Sequence, residues 1–331
     1  MGGDHAPAVV VEGALEALRE SSGRFAIVIV GQQDPVRKEL QRLEGQGVRA
    51  QEDLLSVVHA PDVITMNDAP NAALRTKKQS SIGVGLTMHR EGRVQGFVSA
   101  GNTGAVLSAS TLILGRVEGV GRPTIGALIP TLRGTSFMVD AGANVDCKPR
   151  HLFEFAVMGS IYMSSMLGVK SPRVGLLNIG EEDTKGDAVA LETFALLRSS
   201  TLNFAGNIEG RDLLRGEVDV IVCDGFVGNI LLKFGESIPA FLKGKFLAFA
   251  QKSLANKLVA LIARNGLRSV LKELDYQEHG GVPLLGVNGV SIIGHGGSTA
   301  RAIKNMIYRA EEMIVKDVNG LIREELKQHH E

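Results

Sequence analysis

Residues 96–105 of the chain read Gly-Phe-Val-Ser-Ala-Gly-Asn-Thr-Gly-Ala, an apolar strand that runs into small residues and then into a helix. A turn of this kind leaves backbone N–H groups without partners at the positive end of the helix dipole, which favours an anion such as phosphate. Glycine pairs are also common at such junctions because the turn is tight. Taken alone, the stretch leaves an anion site and a plain structural turn as alternatives.

The same design recurs along the chain. An apolar run ends in glycine together with Asn, Asp, Glu or His at residues 139–144, 177–182, 222–229 and 293–298. Loops at the carboxyl ends of parallel strands lie on one edge of a sheet. The recurrence therefore predicts that these loops converge on one crevice.

Apolar runs alternate with segments of helical spacing, which predicts a parallel sheet covered by helices on both faces. Without a low-complexity linker, we expect a single α/β domain over residues 1–331. Residues 1–7 read Met-Gly-Gly-Asp-His-Ala-Pro, a type of loop that normally follows a strand, so we expect a first β-strand to be missing ahead of residue 1. The mixed charge of residues 300–328 predicts a solvated surface helix.

Residues 234–275 differ in character and predict a protruding amphipathic helical excursion. Apolar residues such as Phe241, Leu258 and Leu261 recur at helical spacing, while Lys and Arg are frequent and acids are few. One interpretation is a dimer interface or a pair of core helices. The other is an interfacial helix pair whose apolar face enters the headgroup region of an anionic membrane.

Composition excludes several classes of protein. The 331 residues carry a formal net charge of zero and no Trp, which argues against nucleic acid as a partner. Cys147 and Cys223 lack metal-site spacing and are typical of reduced residues in a cytoplasmic protein. No apolar run approaches the roughly 18 residues that span a bilayer, and the amino terminus has no signal-peptide pattern.

The candidate chemical groups lie in the loops. The sequence has no nucleophile elbow and no paired His spacing, so we expect neither a metal nor a cofactor. Four candidates also have a structural alternative. Lys185 and Glu181 could belong to a solvated turn, Asp224 could cap a helix, and His295 could be a structural loop histidine. The other candidates are Asp4 and His5 beside two glycines, and Gly225 and Asn229 near Asp224.

The loop motifs together resemble the bacterial phosphate acyltransferases of phospholipid synthesis, the acyl-carrier-protein:phosphate acyltransferase (PlsX) family. The resemblance covers the whole chain and rests on residues 1–7, 99–105, 140–146, 171–180 and 224–229. It implies a three-layer α/β/α sandwich that is Rossmann-like and similar to isocitrate and isopropylmalate dehydrogenases. It also implies a homodimer and a short strand ahead of the first motif.

The resemblance further implies that inorganic phosphate attacks the thioester of a long-chain acyl-carrier protein, which gives acyl phosphate and free carrier. The enzyme would work beside the membrane-bound glycerol-3-phosphate acyltransferase that consumes acyl phosphate, so we expect a cytoplasmic protein with peripheral membrane association. The basic excursion then has a third possible role, as a docking surface for the acidic carrier.

On this basis we expect the N–H groups around Gly101 to Gly104 to hold phosphate, with Asn102 and Thr103. Lys185, Asn229 and His295 are expected to stabilise charge or orient reactants, with Asp224 as a further catalytic candidate. The remaining expected substrate-binding residues are Asp4, His5, Asp140, Asn144, Glu181 and Gly225.

Three rival functions stay open. The first two are a phosphotransacetylase-like enzyme that acts on short acyl-coenzyme A and a nucleotide-dependent dehydrogenase. The dehydrogenase lacks support, because no Gly-x-Gly-x-x-Gly fingerprint with a later ribose-binding acid is present. The third is a non-catalytic membrane scaffold that acts through the excursion.

Overall fold

Strands form where short apolar runs rich in β-branched residues occur, and helices form where the apolar spacing is helical. The computed structural model describes residues 1–48, 53–273 and 280–328. The strands are β1 (Ile27–Gly31), β2 (Leu55–His59), β3 (Gly96–Ser99), β4 (Thr124–Thr131), β5 (Gly134–Val139), β6 (Val174–Leu177), β7 (Phe204–Ile208), β8 (Val220–Val222), β9 (Val282–Leu285) and β10 (Val290–Ile293). The helices are α1 (Ala8–Ser21), α2 (Gln33–Gly45), α3 (Pro70–Thr76), α4 (Ser81–Arg90), α5 (Thr103–Ile113), α6 (Pro149–Leu167), α7 (Ala188–Arg198), α8 (Gly225–Ala250), α9 (Leu254–Glu273), α10 (Ala300–Val315) and α11 (Val318–Gln328).

The central sheet has eight strands in the order β3-β10-β9-β4-β5-β8-β6-β7. One hydrophobic core packs α6, α7, α10 and α11 against the sheet, and a second packs α3, α4, α5 and the start of α8. Helices therefore pack on both faces of the sheet, and the predicted α/β/α sandwich is confirmed.

The prediction of a parallel sheet is wrong. β9 runs antiparallel to both β10 and β4, and β4 runs antiparallel to β5, while β5, β8, β6 and β7 are parallel to one another. β3 is parallel to β10. It follows that β3 and β10 end at the edge of the sheet opposite to that where β5, β8, β6 and β7 end.

The prediction of a solvated helix over residues 300–328 is also wrong. The segment breaks into α10 and α11 at Asp317, whose φ is 46°. Met306, Met313, Ile322 and Leu326 are fully or almost fully buried in the core. The mixed charges occupy only the outer face of an amphipathic pair, so they did not reveal the apolar face beneath.

A groove separates the two-stranded sheet of β1 and β2 from the eight-stranded sheet. Its cavity of about 510 Å³ is lined by β1, β3, α1, α4 and α10. A Cβ on Gly31 would lie 2.8 Å from Met1 Cγ, and a Cβ on Gly3 would lie 2.8 Å from the carbonyl oxygen of Ala100. Residues 1–3 therefore lie at the carboxyl ends of both β1 and β3.

The predicted excursion over residues 234–275 falls in α8 and α9, with residues 274–275 outside the described residues. The two helices are joined by three residues and pack on each other. Large apolar side chains on them face solvent: Phe234, Phe241, Leu242, Leu247, Phe249, Leu254, Leu258, Val259, Leu261, Ile262 and Val270. Within the described ranges, none of the helices combines the length and the apolar character needed to cross a membrane.

Candidate active site

Asn102 fixes the loop between β3 and α5. Its Oδ1 accepts a hydrogen bond from the N–H of Ala105 at 3.0 Å, which caps the helix. Its Nδ2 donates to the carbonyl oxygens of Thr65, Met66 and Asp68 at 3.2, 3.3 and 3.0 Å. The Asn102 amide is therefore used within the protein, where it holds the turn at residues 65–68 against the start of α5.

An ion pair between Asp68 and Lys77 stabilises the turn at residues 65–68 to which Asn102 donates. The Asp68 carboxylate accepts from the Thr65 N–H and from the Lys77 ammonium, both at 2.6 Å. The hydrogen bond from Lys77, followed by that from the Thr65 N–H, lowers the pKa of Asp68 to about 2. The carboxylate therefore stays ionised at neutral pH. No periodic signal in the sequence marks this pair, because its two residues lie nine apart across a turn.

Two further loops meet the α5 loop at the same sheet edge. The Asp4 N–H donates to the Gly296 carbonyl oxygen at 2.9 Å, and Gly3 lies against Ala100. His295 is exposed, and its Nδ1 accepts from the Gly297 N–H at 3.1 Å. One edge therefore carries these predicted residues: Asp4, His5, Gly101, Asn102, Thr103, Gly104 and His295.

The other predicted residues lie at the opposite edge, where Asp140 organises the loop after β5. Its buried carboxylate accepts from the N–H groups of Gly142, Ala143 and Asn144 at 3.0, 2.9 and 2.8 Å, and from Asn144 Nδ2 at 2.8 Å. Burial raises the pKa of Asp140, while these N–H donors act in the opposite direction. The loop is thus closed around one carboxyl group.

The start of α8 packs directly on this loop. The Asp224 Oδ1 caps the helix by accepting from the Val227 N–H at 2.8 Å, and the Gly225 N–H donates to the Asn144 carbonyl oxygen at 2.7 Å. A Cβ on Gly228 would collide with the carbonyl oxygen of Asp140. Glycine at this position is therefore required by the close approach of the two backbones, and Asn229 is left exposed beside the loop.

Lys185 and Glu181 lie in the neighbouring loop, between β6 and α7. The Asn178 Nδ2 donates to the Lys185 carbonyl oxygen at 2.9 Å, which closes the loop and leaves the Lys185 side chain exposed. Glu181 pairs with Arg211 at 3.2 Å. The structure therefore divides the predicted residues between two edges, and the predicted single crevice is wrong because β4 and β9 reverse the strand direction.

Neither cysteine is prepared for nucleophilic attack. Burial, followed by the charges of Asp140 and Asp224, raises the pKa of Cys147 to about 12. The pKa of the fully buried Cys223 is raised well above its ordinary value, again chiefly by burial. Both thiols are protonated at neutral pH. In the described part of the chain, no three His, Cys, Asp or Glu side chains are grouped to hold a metal ion.

The comparisons with known proteins agree on a family. A family profile described as "Fatty acid synthesis protein" matches residues 1–321. The chain is 48% identical over 331 residues to the phosphate acyltransferase of Chlorobaculum parvum, covering 97% of this chain and 96% of the relative. The chain belongs to the phosphate acyltransferase family. A second member, from Heliobacterium modesticaldum, is 48% identical over 326 residues, covering 98% of this chain and 96% of the relative.

Family membership makes the protein an acyltransferase and confirms the resemblance found in the sequence. Two solved structures share the fold at low identity. A phosphotransacetylase from Streptococcus pyogenes matches with a TM-score of 0.61 and 16% identity over 92% of this chain and 91% of that one. A branched-chain phosphotransacylase from Enterococcus faecalis matches with a TM-score of 0.60 and 14% identity over 95% and 96%.

Proposed function

We propose that the protein transfers a long acyl chain from acyl-carrier protein to inorganic phosphate, releasing acyl phosphate and free carrier. The observation that carries the proposal is the rigid loop at the start of α5, in a chain that belongs to the phosphate acyltransferases. Asn102 and the braced turn at residues 65–68 hold this loop. Its first-turn N–H groups suit an anionic nucleophile.

The chemistry requires positioning more than activation. A phosphate oxygen attacks the thioester carbonyl, a C–O bond forms, the C–S bond breaks, and the thiolate leaves and takes up a proton. Phosphate is already an anion at neutral pH, so no covalent enzyme intermediate is needed, in line with the protonated state of Cys147 and Cys223. Holding the reactants in line is worth roughly 7 to 11 kcal/mol in well-oriented systems.

Individual roles follow from the two edges. At the first edge, the exposed His5 and His295 are proposed to donate hydrogen bonds to phosphate held at the start of α5. At the second edge, Lys185, Asp224 and Asn229 are proposed to orient the acyl donor through a part remote from the thioester, because the oxyanion has to form beside the phosphate. Alanine at His295 should raise the KM for phosphate, whereas alanine at Lys185 should raise the KM for the acyl donor.

The test is phosphate-dependent release of free thiol from palmitoyl-carrier protein, with acetyl-coenzyme A assayed in parallel. Turnover of the carrier substrate alone supports the proposal. Turnover of acetyl-coenzyme A alone would instead make the enzyme a phosphotransacetylase. Absence of both activities, with binding to liposomes intact, would favour the scaffold.

We also infer that the α8–α9 hairpin contacts an anionic membrane, which would deliver acyl phosphate beside the enzyme that consumes it. Residues 234–270 contain six Lys and Arg and one Glu. Among their apolar side chains, Leu258 and Leu261 are 60% and 65% exposed. A surface that is both apolar and basic suits the headgroup region of an anionic bilayer.

The L258E/L261E double variant tests this inference, with L132E as the matched control because Leu132 is 87% exposed outside the hairpin. Loss of sedimentation with anionic liposomes at unchanged oligomeric mass supports the membrane contact. Loss of a dimer would assign the hairpin to subunit association. A weaker affinity for the carrier, with liposome binding intact, would assign it to docking.

A further inference from the structure

A group of basic side chains borders the loops at the ends of β5 and β8. Arg122 directly precedes Pro123, whose carbonyl oxygen accepts from Asn144 Nδ2 at 2.8 Å. The segment that carries Arg122 is therefore fastened to the loop organised by Asp140. A Cβ on Gly121 would lie 3.0 Å from His151 Cδ2, so the imidazole ring lies against this same segment.

Lys148 stands at the other side of the group, immediately before α6. Its N–H donates to His151 Nδ1 at 3.1 Å, which leaves the proton of the neutral imidazole on Nε2. Burial first, and then the charges of Arg122 and Lys148, lower the pKa of His151. The ring is accordingly a neutral hydrogen-bond donor that feels the charges of two cations, at the positive end of a 19-residue helix.

The two cations differ from the arginines around them. Arg150 pairs with Glu154 at 3.2 Å, and the Arg116 guanidinium donates to the Gly121 carbonyl oxygen. Over residues 1–48, 53–273 and 280–328, neither Arg122 nor Lys148 forms an ion pair, and both are exposed. The charges of both cations reach the His151 ring, so an anion held beside this ring is attracted by both.

We propose that Arg122, Lys148 and the His151 Nε2–H form a binding site for a phosphate group at the start of α6. A guanidinium offers forked donors, and an ammonium offers a point charge, which together suit the oxygens of phosphate. The site borders the Asn144 and Gly225 backbones that meet at 2.7 Å, beside the proposed acyl-donor loops. Its role in acyl transfer rests on the proposed function, whereas the binding of phosphate does not.

The phosphate group has two possible sources. One is the inorganic phosphate that is consumed in the reaction. The other is the phosphate ester that joins the thioester arm to a carrier protein or to coenzyme A. Both present the same oxygens to Arg122 and Lys148, so the experiment has to separate them.

Binding is measured on the purified full chain by phosphorus NMR titration with inorganic phosphate and, separately, with coenzyme A. R122Q and K148M are compared with wild type and with K170M, because Lys170 is exposed beyond the far end of α6. We expect both site variants to bind at least one of the two probes about tenfold more weakly, the size that one charge-assisted hydrogen bond gives. K170M should bind as wild type does.

Steady-state kinetics identify the source. A raised KM for phosphate with an unchanged KM for the acyl donor assigns the site to the nucleophile, in place of the start of α5. A raised KM for an acyl-coenzyme A or acyl-carrier donor, but not for a simple thioester without a phosphate ester, assigns it to the donor arm. R122K should recover part of the affinity in either case.

Wild-type affinity of folded R122Q and K148M for both probes would overturn the proposal. Urea unfolding of each variant confirms that it is folded, and K148M provides the test if R122Q does not fold. If the wild-type protein turned over no thioester but R122Q lost phosphate binding, the proposed function would be wrong. The phosphate-binding site would still be supported.

Discussion

Replacing Asn102 tests whether this side chain acts by holding the α5 loop. The side chain is 6% exposed, its Oδ1 caps α5 through the Ala105 N–H, and its Nδ2 donates to three carbonyl groups of the turn at residues 65–68. Alanine removes both functions. Serine retains an oxygen for the cap but loses the amide donors, and aspartate retains the cap while placing a carboxylate against the carbonyl oxygens.

The expected cost follows from these contacts. Loss of an N-cap costs about 1 kcal/mol of stability. The amide has two hydrogens to share among three carbonyl groups, so we count two hydrogen bonds at about 0.5 to 1.5 kcal/mol each. N102A should therefore lose about 2 to 4 kcal/mol, and N102S should lose about 1 kcal/mol less than N102A.

Urea unfolding monitored by circular dichroism measures these differences, and an unchanged m-value supports comparison of the free energies. N102D should be at least as destabilised as N102A at pH 8, although it is a good cap. The reasoning would be refuted if N102D were within about 0.5 kcal/mol of wild type, the range of an ordinary surface substitution. In the folded fraction, N102S should show a raised KM for phosphate because the loop is less well held.

Three further predictions concern other parts of the molecule. C147S should keep the wild-type kcat, because burial and two nearby carboxylates raise the pKa of Cys147 to about 12. For the same reason, wild-type Cys147 should react with iodoacetamide far more slowly than an exposed cysteine. A large loss of kcat in folded C147S would contradict this prediction. Burial lowers the pKa of His89, so the unfolded chain binds a proton more readily than the folded chain as pH falls. The free energy of unfolding should therefore fall as pH drops below about 6.5, and it should fall less in H89Q. Equal slopes of the free energy of unfolding against pH in wild type and H89Q, from pH 7.5 to 5.5, would count against this prediction. A five-residue apolar strand attached ahead of Met1, equal in length to β1, should fill the groove between β1 and β3 and raise the melting temperature. Each buried side chain gains about 1.5 to 3 kcal/mol and each strand hydrogen bond about 0.5 to 1.5 kcal/mol, which together exceed the cost of about 1 to 2 kcal/mol per ordered residue. A Gly-Ser segment of the same length is the control, and equal melting temperatures would exclude a strand site.

The local signals in the sequence were reliable where a short segment decides its own structure. The apolar run before Gly101 forms a strand, and Asp224 caps α8, which is one of the alternatives predicted for this residue. Asn102 caps α5 in the same way, although it was predicted only to bind phosphate. These outcomes depend on neighbours within about one helical turn, so the sequence contains the whole argument. Family membership was likewise determined by motifs that are contiguous in the chain.

The sequence also contains a signal for one of the antiparallel pairs, β4 and β5. β4 and β5 are separated by two residues, Leu132 and Arg133, and such a short connection fits a hairpin and not a parallel crossover. The antiparallel pairing of β9 with β4 had no comparable signal, because the paired residues lie more than 150 positions apart in the sequence. Long-range pairing therefore decided how the loops divide between the two edges.

The sequence by itself determined the family, the layered α/β class and the positions of most strands and loops. Only the tertiary structure decided which loops share an edge and which carbonyl groups engage the Asn102 amide. It also decided that Arg122 and Lys148 lie near His151, with no ion pair to an acid among residues 1–48, 53–273 and 280–328. The physical reason is the range of the interactions: propensity, capping and apolar spacing act within a few residues. Strand direction, burial and charge balance depend on residues that folding brings together from distant parts of the chain.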